Sequence, residues 1–218
     1  MTKIKICGLK TYEDALYVHH IGADALGFII DVPVDTPRKI SSQVARDIIT
    51  QLPLDTVTVG VILPSQIKEI LHIIEETNVD AIQIHGTVNP KVINEIKAEE
   101  DISIIISYLI DKKTNITEAI EAIEEYIANG SDAILLDTKS KKYIGGTGKI
   151  HDWKKSKEIK DSFNCPFILA GGLNPENVLD AIREVEPYAI DVSSGVESAP
   201  GVKDRRKIKE LIQKVRLF

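Results

Sequence analysis

Eight short runs rich in Val, Ile, Leu and Ala recur along this chain, and each is followed by a segment of helical period. The runs occupy 3–7, 25–30, 56–63, 81–85, 102–109, 133–137, 167–170 and 189–193. Several are nearly continuous in aliphatic residues, the pattern of a strand buried on both faces of a parallel sheet. Between them, apolar residues recur three and four apart. Ile67, Ile70, Leu71 and Ile74 share one helical face, within a helix pattern that opens near Ser65. Ile116, Ala119, Ile120, Ile123 and Ile127 share another. Thr11, with Asp14 three residues on, reads as the cap of the first helix. Pro175 reads as lying just inside a helix start, and 207–217 closes the chain as an amphipathic helix. Eight βα units in 218 residues predict an α/β protein, a (β/α)8 TIM barrel forming a single domain over 1–218. A doubly wound open sheet is the competing architecture. It favours a glycine fingerprint after the first strand, and Cys7-Gly8-Leu9-Lys10 is not one.

Composition narrows the class of partner. A net charge of −6 argues against nucleic acid, although Lys139, Lys141 and Lys142 form a local basic spot suited to a small anion. The two cysteines, Cys7 and Cys165, fall in no zinc-ligand or disulfide pattern, so no metal is expected. The amino terminus enters a strand at once, without the apolar stretch of a signal peptide. The longest apolar runs are far too short to span a bilayer. The expectation is a cytoplasmic protein with no membrane or nucleic-acid partner, acting as monomer or homodimer on a small phosphorylated molecule.

A barrel builds its active site at the C-terminal ends of its strands, and the polar residues there each carry two readings. Cys7, between strand and helix and near Lys5 and Lys10, is either a small buried hydrophobe or a partly exposed thiol biased toward thiolate. Asp137 closes its strand, but the next helix does not begin until about Asp152, so a general acid explains it better than a cap. Arg38 is either one half of a surface ion pair or a clamp on a carboxylate. His85 either lines the core or contacts ligand, beside Gln83 on the same strand. His151 and the three other histidines receive no role. The turns Gly171-Gly172 and Ser193-Ser194-Gly195, beside Asp191, are either tight turns or the phosphate site such barrels form after strands seven and eight. Gly145-Gly146-Thr147-Gly148 is either an ordinary loop or a lid.

In order along the chain, Lys5-Ile6-Cys7-Gly8, Ala25-Leu26-Gly27-Phe28, Pro37-Arg38, Gln83-Ile84-His85-Gly86, Leu136-Asp137-Thr138, Gly145-Gly146-Thr147-Gly148, Leu169-Ala170-Gly171-Gly172-Leu173 and Asp191-Val192-Ser193-Ser194-Gly195-Val196-Glu197 with Gly201-Val202-Lys203-Asp204 resemble the phosphoribosylanthranilate isomerases. The resemblance implies a cofactor-free and metal-free Amadori rearrangement in the third step of tryptophan synthesis from chorismate. N-(5′-phosphoribosyl)anthranilate would become 1-(2-carboxyphenylamino)-1-deoxyribulose 5-phosphate. It further implies Asp137 as general acid, with its pKa shifted up, and Cys7 as general base, with its pKa shifted down. Arg38 would hold the anthranilate carboxylate. The two turns would hold phosphate through backbone N–H groups, with His85 and Asp191 in support.

One departure is the acidic second loop, where Asp31 and Asp35 precede Pro37-Arg38 and would repel an anionic substrate unless they face solvent. The rivals are a metal-dependent epimerase, an indole-glycerol-phosphate synthase and a non-catalytic phosphate sensor. The first lacks its His/Asp ligands here, the second lacks a strand-end lysine, and the third has no need of both Cys7 and Asp137.

Overall fold

The structure, a computed structural model, describes residues 1–63, 66–139 and 151–218. Among the described residues, eight parallel strands form the barrel: β1 (Lys3–Cys7), β2 (Ala25–Ile30), β3 (Thr58–Ile62), β4 (Ala81–His85), β5 (Ser103–Ile110), β6 (Ala133–Thr138), β7 (Phe167–Leu169) and β8 (Ala189–Val192). Each pairs with the next, and β8 returns to pair with β1, with Lys5 opposite Asp191, so the barrel is closed. Eight helices follow in turn: α1 (Tyr12–His20), α2 (Ser42–Ile49), α3 (Ile67–Thr77), α4 (Lys91–Glu99), α5 (Ile116–Ala128), α6 (Trp153–Asp161), α7 (Val178–Val185) and α8 (Arg205–Leu217).

Strand periodicity divides the apolar residues into two cores. Ile4, Ile6, Leu26 and Phe28 point outward and pack with helix residues such as Ala15, Val18, Ile123 and Leu211. Val59, Ala81, Ile105, Ala133, Ile168 and Ala189 fill the barrel interior. The face that they occupy also carries Lys5 and Cys7, two residues apart on β1 and both buried.

Register is pinned by a device used three times. Asp24, Asp80 and Asp132 each stand immediately before a strand. Each accepts a backbone N–H near the start of the preceding strand, from Ile4 at 2.8 Å, Thr58 at 2.7 Å and Ile104 at 2.7 Å. A slip of one residue would turn every interior side chain outward. These carboxylates oppose it at the base of the barrel.

Thr11 caps α1 as its position suggests, and Asp152, where the sequence places the start of the next helix, caps α6. Pro175 does not open α7. The Asn174 side chain accepts the N–H groups of Glu176 and Asn177 in a turn of its own, and the helix begins only at Val178. Three short strands were not foreseen: Lys39–Ile40 beside β2, and an antiparallel ribbon of Glu197–Ala199 with Val202–Lys203 after β8. The Gly145–Gly148 segment, Lys141, Lys142 and Ser65 lie outside the described residues.

Candidate active site

At the C-terminal ends of the strands the barrel opens into a cleft of about 750 Å³, its mouth included. All ten residues given a catalytic or binding reading line it, as does Gln83; Thr138, at the end of the same strand as Asp137, does not. Cys7, His85, Asp137 and Asp191 come from strands, Arg38 from the loop after β2, and Gly171, Gly172, Ser193, Ser194 and Gly195 from the last two turns.

Asp137 is buried, and its Oδ1 accepts the N–H of Thr138 at 2.6 Å. Burial pushes its pKa up to about 6; the Thr138 bond opposes this and the nearby Asp191 charge adds to it. The upward shift expected of a general acid is therefore present.

Cys7 differs from expectation in two ways. It is buried, 5% exposed, rather than partly open. Its pKa is raised rather than lowered, because desolvation outweighs the Lys5 ammonium, while Asp191 pushes up and Lys203 pulls down. Flanking cations could be read from the sequence, but the loss of water around the thiol could not.

Lys5 acts on both of these groups. Its Nζ donates to Asp191 Oδ1 at 3.0 Å, with both side chains almost wholly shielded. Burial alone would lower the Lys5 pKa, but Asp191 and then Cys7 outweigh it, and the net shift is upward. Gly27 makes room for this group. A Cβ there would stand 2.9 Å from Cys7 Sγ and 3.0 Å from Lys5 Nζ.

The two turns pack against their neighbours through glycine. Gly171 has φ +88°, and a Cβ there would fall 2.2 Å from Thr138 Oγ1. At Gly195 the reason is space rather than φ, since a Cβ would meet the Leu173 carbonyl at 1.8 Å. Three buried polar atoms on the cleft wall, Gln83 Oε1, His85 Nε2 and Ser193 Oγ, have no partner among the described residues. Burial, with Lys5 nearby, lowers the His85 pKa to about 4, so its ring is neutral at pH 7. Among the described residues, no group of three or more His, Cys, Asp or Glu is placed to hold a metal ion.

The N-(5'phosphoribosyl)anthranilate (PRA) isomerase family model matches residues 4–214. The chain belongs to the phosphoribosylanthranilate isomerase family. It is an isomerase of tryptophan biosynthesis. Relatives bearing that name include those of Methanocella arvoryzae, 41% identical over 100% of this chain and 99% of the relative, and Methanosarcina acetivorans, 38% identical over 99% and 93%. The crystal structure of the Thermotoga maritima isomerase superposes with a TM-score of 0.87 at 37% identity, covering 100% of both chains. A second isomerase structure, TM-score 0.83 and 34% identity over 100% of both chains, is a complex with reduced 1-(o-carboxyphenylamino)-1-deoxyribulose 5-phosphate. The Thermotoga maritima enzyme is also described as dimeric. No helix among the described residues of this chain is long and apolar enough to cross a membrane.

Within this isomerase fold, the acidic second loop turns its carboxylates to solvent. Asp31 and Asp35 are both exposed, and Asp31 accepts the N–H of Ser42 at the start of α2. Three groups with a part in the site escaped the sequence reading. Glu197 and Lys203 stood only inside quoted motifs; Glu197 meets Arg38 across 159 residues, while Lys203 reaches the Ser193 carbonyl ten residues back from a ribbon that was not foreseen. His151, given no role, is buried and bonds Thr138 Oγ1 through Nδ1 at 2.9 Å and Ser156 Oγ through Nε2 at 2.6 Å. It thereby braces the residue next to Asp137. Its position just before a helix offered no local signal.

Proposed function

We propose that this cleft rearranges N-(5′-phosphoribosyl)anthranilate by general acid–base catalysis, with Asp137 as the acid and Cys7 as the base. Asp137 gives its proton to the ribose ring oxygen as the bond from that oxygen to C1′ breaks and the anilino nitrogen closes a Schiff base. The Cys7 thiolate then removes the C2′ proton, leaving an enolamine. Loss of the 2′-hydroxyl proton and gain of one at C1′ give the ketone. The sequence is proton-neutral overall, so the thiol and the carboxylate are reset by exchange with solvent.

The observation that carries this reading is a carboxyl and a thiol set in one cleft and acted on by the same buried ion pair. Burial makes Asp137 a weaker acid, so it holds its proton to higher pH, and the Lys5 ammonium beside Cys7 partly offsets the burial that raises the thiol's pKa. Arg38 supplies the cation for the anthranilate carboxylate. The Gly171-Gly172 and Ser193-Ser194-Gly195 turns supply backbone donors for the phosphate, with Ser193 Oγ unpartnered beside them. His85 and Asp191 line the middle of the cleft.

The test is the loss of anthranilate-type fluorescence from phosphoribosylanthranilate generated in situ. Wild type should consume it rapidly, and Asp137→Asn and Cys7→Ser should each be slower by at least about a hundredfold. Turnover at the wild-type rate in either variant would remove the role given to that residue.

A further inference from the structure

Arg38 meets the cleft already held. Its Nε donates to Glu197 Oε1 at 2.8 Å and its Nη2 to Oε2 at 2.7 Å, a two-point contact that fixes the plane of the guanidinium. The Glu197 side chain is only 4% exposed. Its Oε2 also accepts the N–H of Gly201 at 3.0 Å, and its Oε1 accepts Lys203 Nζ at 3.0 Å. Lys203 Nζ donates onward to the Ser193 carbonyl at 3.0 Å. The ribbon that carries Glu197 is pressed against the loop that carries Arg38. Gly201 has φ +74°, and a Cβ there would stand 2.5 Å from the Pro37 carbonyl.

The contact uses one edge of the guanidinium. Among the described residues Nη1 has no acceptor, and Arg38 lines the cleft. Charge matters as much as aim. Arg38 with Glu197 alone would be a neutral pair with little to offer an anion. Lys203, bonded to the same carboxylate, adds a second cation to the cluster, with burial drawing its pKa down and Glu197 holding it up.

We propose that Glu197 is a positioning residue for substrate specificity: it orients the Arg38 guanidinium so that the free edge receives the ligand's carboxylate, while Lys203 keeps the cluster positive. This rests on the function proposed above and assigns the recognition of one substituent to a residue that does not itself touch the ligand.

The test compares two ligands that differ only in that substituent. They are the reduced carboxyphenylamino-deoxyribulose phosphate and its phenylamino counterpart without the carboxylate, titrated by calorimetry. Wild type should bind the carboxylated ligand more tightly. In Glu197→Gln, its Kd should rise at least about tenfold while that of the phenylamino ligand stays within about twofold, and KM should rise with kcat nearly unchanged. Where Glu197→Gln folds poorly, Glu197→Asp, which keeps the charge but withdraws it by one methylene, carries the same comparison. Equal weakening of both ligands would show a merely structural role and overturn the proposal. So would unchanged affinity for the carboxylated one. A wild type that does not distinguish the two ligands would overturn the reading of the cleft itself, and the proposal with it.

Discussion

Lys5 donates a 3.0 Å hydrogen bond to Asp191 inside the barrel, directly across the β1–β8 pairing and two residues from Cys7. Two strands that close the barrel are thus joined through a shielded ion pair at the depth where chemistry is proposed. The pair places one cation beside the thiol and one anion beside Asp137, biasing both groups at once.

Lys5→Met should be costly. Removing one member of a buried pair leaves Asp191 charged and unpartnered, a loss of about 3–5 kcal/mol. It also removes the cation nearest the thiol. Alkylation of Cys7 by iodoacetamide at a fixed pH should slow by about tenfold or more. An unchanged alkylation rate would show that Lys5 does not support the thiolate.

Asp137 should make the fold less stable as pH rises. Its folded pKa, about 6, lies above the ordinary 3.8, so the folded state holds the extra proton between those values. Stability is then lost as pH rises from about 4 to 6, by roughly 2–3 kcal/mol. Asp137→Asn keeps an acceptor for the Thr138 N–H and cannot ionise. It should melt above wild type at pH 7 and no higher at pH 4. Equal melting temperatures at both pH values would contradict the shift.

The pH–rate profile should reveal a minority catalytic form. With Asp137 near 6 and Cys7 above its ordinary 9.0, a protonated acid beside a thiolate makes up roughly one molecule in a thousand or fewer. The kcat/KM should fall below pH 6, stay flat from about 6 to 9 and fall again above the thiol's pKa. In Asp137→Asn, the residual rate should instead climb about tenfold per pH unit across that window, because only the thiolate fraction still changes. A flat profile in the variant would remove Cys7 as the base.

Gly171→Ala should damage the acid and the phosphate turn together. The residue has φ +88°, and its new methyl would collide with Thr138, whose N–H holds Asp137. A loss of at least about 1–3 kcal/mol is expected from the backbone alone. Inorganic phosphate should bind more weakly, as read by the shift in melting temperature it produces. Unaltered phosphate binding would separate this turn from the phosphate site.

The strands, the starts of α1 and α6, the span of α5 and ten of the cleft residues were readable from the chain because they depend on neighbours close in sequence. Aliphatic runs mark strands buried on both faces, and Thr11 and Asp152 cap helices through residues two or three positions away. Even Pro175 was misread for a local reason, the competing turn held by the Asn174 side chain.

What the sequence could not supply was everything decided by burial or by partners brought from far along the chain. The Lys3-Ile4-Lys5-Ile6 alternation foretold a strand but not that Lys5 faces inward, since that is settled by its pairing with Asp191, 186 residues away. Arg38 stood open between a surface ion pair and a clamp until folding brought Glu197 to it across 159 residues. The direction of the Cys7 shift depends on how much water the closed barrel excludes, and no count of nearby lysines measures that. The sequence by itself determined the barrel and which residues gather at its mouth. Tertiary structure decided their charge states and their aim, because desolvation and long-range ion pairing exist only once the sheet has closed.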